Sequence, residues 1–135
     1  LGNVTCHVQH VGGDHASDSC VVHVLPDNVL FLGDCLYPAI YAPVQHYTTE
    51  KLFPLLETLL AFDAEFFIEG HNNKVMTRAD FILMAEKMRF AGEFVEQLGS
   101  DEQEIFAAAK AKLGQIDEDT DYFLHTFIAG KKLSM

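Results

Sequence analysis

The sequence predicts an α/β fold, with a mixed sheet early in the chain and helices gathered at its C-terminal end. Three observations carry this. Short β-branched runs divided by turn residues fill the first 33 positions, and apolar residues recur at helical spacing over most of the chain after residue 49. The resulting order is strand, strand, strand, helix, strand, then helices, with polar breaks falling just after strands, which is the signature of layered α/β architecture.

The stretch VTCHVQHV, residues 4 to 11, alternates Val4, Cys6 and Val8 with Thr5, His7 and Gln9, the period of a strand buried on one face. GGDHASD then reads as a loop. SCVVHVL (19 to 25) and VLFLG (29 to 33) are apolar or β-branched runs joined by Pro-Asp-Asn, which predicts a hairpin. Residues 34 to 48 are irregular and aromatic. Thr49 is placed to cap a helix that carries Leu52, Leu55, Leu56, Leu59 and Leu60 on one face, and Pro54 is expected to bend or shorten its first turns. EFFIE (65 to 69) reads as a short buried strand, followed by the loop GHNNKVM. The remainder is helical: Thr77 with Asp80 forms a capping-box pattern ahead of Phe81, Met84, Ala85, Met88, Val95 and Leu98, and Ser100 with Gln103 repeats it. Gly114 is expected to end that helix. A last helix near residues 120 to 129 is expected to stop at Gly130, with Lys131 and Lys132 beyond. The acidic runs SDEQE and DEDTD suit helix starts, where carboxylates meet the positive end of the dipole.

Composition limits the function classes. A chain of 135 residues with 49% hydrophobic content fits one domain with its own core, residues 1–135. Nine basic against 20 acidic residues, a formal net charge of -11, disfavour a nucleic-acid grip or an anionic membrane. No apolar run reaches bilayer length and the first ten residues lack signal-peptide features, so a cytoplasmic protein is expected. Cys6, Cys20 and Cys35 are odd in number and lack C-x-x-C spacing, which predicts reduced thiols; Cys20 and Cys35 read as small buried hydrophobes.

Three of the polar breaks carry groups that bind borderline metals: His15 after the first strand, Asp34 after the hairpin, and His71 after the fourth strand. Imidazole and carboxylate are suitable zinc ligands, and a carboxylate can bridge two cations through its two oxygens. Spacings of 19 and 37 residues are too long for a zinc finger, so any shared site has to be assembled by the fold. Taken singly, each residue has a plainer reading: a loop histidine after Gly-Gly, a turn aspartate, and a histidine in an Asn-rich turn. Their order and contexts favour a joint one. Tyr37 and Tyr41, with Tyr47, could line a small-molecule substrate cleft beside Asp34, or pack under a helix. Asp14 is either a support for His15 or solvated. His7, His10 and His23 read as strand residues at the surface, and His46 and His125 as surface or helix-packing groups.

At these residues the chain resembles the metallo-β-lactamase superfamily. GGDHASDSCVVHVLPDNVLFLGD is similar to the family segment in which a glycine-rich loop gives a metal-binding histidine, a hairpin follows, and a Gly-Asp pair gives the bridging aspartate. FFIEGHNNKVMTRADF is similar to the later strand, Gly-His loop and helix start, with Glu69, Gly70, His71 and Asn72 where the family often writes Pro-Gly-His-Gly. The resemblance implies that His15 ligates a first metal, Asp34 bridges two, and His71 ligates the second. The metals would be zinc or another divalent ion, two per intact site, serving a hydrolase that acts on a lactam, lactone, thioester or phosphodiester; a non-catalytic relative or interaction module is the alternative. The family's H-x-H-x-D-H motif has no match here, and the chain opens on Leu1 rather than Met. The resemblance therefore implies the C-terminal half of an αββα sandwich. A sheet lacking its opposite half would expose an apolar face and open edges, so a homo-oligomer, or a partner supplying the N-terminal half, is expected.

Overall fold

The computed structural model describes residues 2–135; Leu1, where the chain opens, lies outside them. The described residues form β1 (Thr5–His10), β2 (Cys20–Leu25), β3 (Val29–Gly33), α1 (Thr49–Ala61), β4 (Phe66–Glu69), β5 (Met76–Thr77), α2 (Arg78–Leu98), α3 (Glu102–Leu113) and α4 (Glu118–Leu133). The strands make one five-stranded mixed sheet in the order β1-β2-β3-β4-β5. β3 and β4 are parallel and the other neighbours antiparallel, so α1 serves as the crossover that a parallel pair needs. The α/β class expected from the element order is the observed one.

The core lies between one face of the sheet and the helices. Alternation along the strands sends Val21, Leu30, Leu32 and Phe67 inward, where they are fully buried with Leu52, Leu56 and Leu59 of α1 and with Phe81 and Met88 of α2. The rings of Phe67 and Phe81 stack with centroids 4.1 Å apart. At about 1.5–3 kcal/mol for each large apolar side chain buried, this face dominates the stabilisation.

The opposite face is also apolar. Pairing sets Val8 beside Val22, Val22 beside Phe31 and Phe31 beside Ile68, a row across four strands, with Val24, Val29 and Phe66 in the next row. Here Val8 is 70% exposed, Phe31 41% and Phe66 38%.

Several local expectations are corrected. β1 is exposed along its whole length rather than buried on one face. Among the described residues it is an edge strand paired to β2 alone; its inward residues Thr5, His7 and Gln9 are polar, and its apolar ones point to the uncovered face. The cap of α1 is Thr48, not Thr49, and its hydroxyl donates to Asp14 instead of accepting from its own helix. α1 continues through Pro54 for a full 13 residues. The capping box of Thr77 and Asp80 forms in both directions, whereas α3 is capped by Asp101 rather than Ser100. Gly114 ends α3 as expected, with φ +80°. α4 starts earlier, capped by Asp117, and runs through Gly130 to Leu133. Gly130 is not a stop signal: a Cβ there would fall on the Tyr47 carbonyl, so glycine lets the helix pack against that backbone. Cys20 is exposed, while Cys35 is buried. The two-residue strand β5 was not anticipated; it is too short to carry a period.

Candidate functional site

The ends of β3 and β4 lie side by side, and the loops that leave them set the site. Gly33, at φ +55°, turns the chain out of β3 so that Asp34 follows at the carboxyl end of the sheet. The Gly70 amide donates to the Gly33 carbonyl at 2.8 Å and locks the two loops together. A Cβ on Gly70 would fall on Oδ1 of Asp34. Glycine is therefore what allows the Asp34 carboxylate to rest against the second loop. The other wall is the 11–19 loop. Gly13, at φ +121°, passes so close to the Cys35 carbonyl and to Leu55 that a side chain would meet both at 3.0 Å.

These loops bring the three expected residues together. His71 Nε2 lies 3.2 Å from Oδ1 and 3.3 Å from Oδ2 of Asp34, and His15 Nε2 lies 3.6 Å from Oδ2. The two imidazoles differ in setting: the His15 side chain is 10% exposed and that of His71 74%. His15 Nδ1 is 3.2 Å from the Pro38 carbonyl oxygen. A carbonyl only accepts, so Nδ1 carries the proton, and a neutral His15 then directs the lone pair of Nε2 toward Asp34. Two acceptors facing each other suit a cation held between them. Metal-bound histidines commonly donate their other ring N–H to a carbonyl in this way.

The donor set fits part of a coordination sphere. Tetrahedral zinc with bonds of about 2.0–2.1 Å separates neighbouring ligand atoms by about 3.3 Å. The His71–Asp34 and His15–Asp34 separations bracket that spacing. Each pair thus matches one edge of a metal site, yet among the described residues no three His, Cys, Asp or Glu side chains are arranged to hold a metal ion between them. Completing either position takes donors from outside this set.

Surrounding groups define a cleft of about 260 Å3 lined by His15, Asp34, Tyr37, Ile40, His71 and Tyr122. Tyr37 belongs to it firmly: its hydroxyl accepts from the His71 amide at 3.0 Å, and the rings of Tyr37 and His71 lie 5.7 Å apart. Burial raises the Tyr37 phenol, the His71 amide opposes this, and the charges of Glu69 and Asp34 add to it, so the hydroxyl stays protonated at neutral pH. Tyr41 stands 87% exposed, its ring 6.1 Å from that of His15 at the rim. Tyr47 is not in this cleft; it is buried in the core and donates to the Leu36 carbonyl.

Two neighbours have their roles fixed by hydrogen bonding and burial. Asp14 is part-buried and turned to Thr48 rather than to His15: it accepts from the Thr48 amide at 3.0 Å and the Thr48 hydroxyl at 2.8 Å, anchoring the loop to the start of α1. Burial raises its carboxyl and those two bonds oppose the rise. Cys35 is pushed up to about 12 by burial, with Glu69 and Asp34 adding to it, so it packs as a neutral thiol. Tyr122 was missed in the sequence. Its only signal is its position one turn along α4 from Asp119, beside the core residue Phe123.

Among solved structures, the chain is similar to a metallo-β-lactamase from Hirschia baltica, with 22% identity, coverage of 64% of this chain and 40% of that one, and a TM-score of 0.46. It is also similar to TMB-1, with 22% identity, coverage of 66% and 47%, and a TM-score of 0.42. No family model and no curated protein matches the chain. The chain spans less than half the length of either solved structure.

Proposed function

We propose that this chain supplies one side of a two-metal hydrolytic site, as the C-terminal half of a metallo-β-lactamase-like αββα sandwich. The observation that carries the reading is the approach of His15 and His71 to the two oxygens of Asp34, with the His15 lone pair turned to that carboxylate by its bond to Pro38. His15 would hold one metal, His71 the other, and Asp34 both; zinc suits this donor set. When bound, such a metal lowers the pKa of a bound water to about 7 and polarises an acyl or phosphoryl oxygen. The chain's own residues orient the donors: Pro38 fixes the His15 tautomer, Tyr37 holds the His71 backbone, and Gly70 makes room for Asp34. The remaining donors and the group that orients the attacking water belong to the other half. That half packs on the uncovered sheet face, supplied by a separate segment or replaced by a second copy of this chain.

Metal content of the purified chain, dialysed against trace zinc beside His71→Ala, tests this. Zinc retained by the chain and lost in the variant supports the reading. Zinc bound equally by both would move the site elsewhere. The isolated chain is expected to hydrolyse little or nothing, because two donors per metal leave each position incomplete. Metal-dependent turnover by the chain alone would show that it needs no second half. No zinc in either protein would mean that the site is incomplete without its second half or that the chain is a non-catalytic relative with the same fold.

A further inference from the structure

A second and larger cleft, of about 550 Å3, opens between α2 and α4. Tyr37 and Tyr122 line both it and the cleft that holds Asp34, so the two share a wall. Its volume falls within the range of small-molecule sites, and Met76 and Met84 line it over a floor of the almost wholly buried Met88, Leu36 and Phe123. Methionine side chains are unbranched and adaptable, and a lining of Met76 and Met84 backed by Met88 accommodates a flexible chain better than it specifies a rigid ring.

The charged groups at the rim narrow the ligand further. Glu69, Asp80 and Asp119 contribute carboxylates, and Lys87 is the one cation among the lining residues. Its ammonium is already engaged, 2.9 Å from Asp117 and 3.6 Å from Asp119. An anion entering the cleft therefore meets like charge with no uncommitted cation to receive it, whereas a neutral chain carries no charge for those carboxylates to repel.

We propose that this cleft binds the neutral, unbranched acyl chain of an ester or thioester whose carbonyl lies at the Asp34 cluster, and that it excludes anionic chains. The substrate role rests on the hydrolytic reading above; binding of the chain itself does not.

The sequence provides its own reporters. The chain has four methionines, so methyl-13C-methionine labelling gives four signals. Met76, Met84 and Met88 report on the cleft, and Met135, 84% exposed at the C-terminus, is the internal reference. Titration with octanamide is expected to shift the three cleft methyls saturably and leave Met135 in place, while octanoate binds at least about tenfold more weakly. Met84→Trp, which fills the cleft, is expected to weaken octanamide by about tenfold or more, with cooperative thermal unfolding showing that the variant is folded. Unsaturable shifts, equal movement of Met135, or octanoate binding as well as octanamide would overturn the proposal. Octanamide binding to a chain that fails the zinc test would keep the chain-binding cleft and remove its role in hydrolysis; zinc binding without octanamide binding would do the reverse.

Discussion

Asp34 owes its position to a glycine 36 places further along the chain. Because a Cβ on Gly70 falls on Oδ1 of Asp34, Gly70→Ala is expected to displace the carboxylate from between the two histidines, at a cost of about 1–3 kcal/mol in stability and with loss of zinc retention. Thermal unfolding and metal analysis of the same variant check both parts; unchanged zinc would mean that Asp34 is not a ligand. The three residues of the cluster were legible in the sequence because each stands in a polar break just after an apolar run, where a strand hands a side chain to a cleft. The supports were not. Nothing in the string links Gly70 to Asp34, Pro38 to His15 or Asp14 to Thr48, since such contacts depend on which loops the fold brings together. Asp14 shows the difficulty: next to a predicted ligand it invites a supporting role, yet its carboxylate is used by Thr48.

Helix starts were readable as a class and misplaced by single residues. Thr48 and Thr49 are both acceptable caps, as are Ser100 and Asp101, and local propensity does not choose between neighbours. Contacts decide: Thr48 is held by Asp14, and the Ser100 hydroxyl turns to Met135. α4 began earlier than its apolar pattern suggested because Asp117 caps it, accepting from the Thr120 amide at 2.8 Å, while Lys87 of α2 approaches at 2.9 Å. Asp117→Ala is expected to cost about 1 kcal/mol, most of it from the lost cap, since the Asp117 side chain is half exposed and its ion pair contributes less. The Thr120 amide first, and then Lys87, hold this carboxyl down at about 2 from an ordinary 3.8. A depressed folded value means the stabilisation is complete above the unfolded one and disappears as pH falls through the folded one. The Tm gap between the protein and Asp117→Ala should therefore be constant above about pH 5 and narrow steadily toward about pH 2. A gap that widened in acid would reverse the sign of this assignment.

At the level of the whole molecule, the α/β class followed from element order alone, whereas the exposure of β1 did not. Alternation tells which residues share a face but not whether anything covers that face, and here both faces of the central strands are apolar. The helices cover one. The other, with Val8, Phe31 and Phe66 exposed, is expected to drive association, so sedimentation velocity should show species heavier than the 15.1 kDa chain. Phe31→Lys combined with Val8→Lys should shift the distribution to monomer without unfolding the protein, because neither side chain belongs to the buried core. A clean monomer at high concentration before substitution would remove the sheet face as an association surface. Among the described residues no helix is long and apolar enough to cross a membrane.

The central claim is that His15 and His71 present ring nitrogens to a metal held at Asp34, and the most direct measurement is the 15N spectrum of the histidine rings during zinc addition. The account predicts that His15 carries its proton on Nδ1 before zinc is added, as its bond to Pro38 requires, and that zinc shifts Nε2 of both His15 and His71 while His7 and His10 on the exposed edge strand stay unchanged. A His15 protonated on Nε2, or zinc that leaves His15 and His71 where they were, would contradict it.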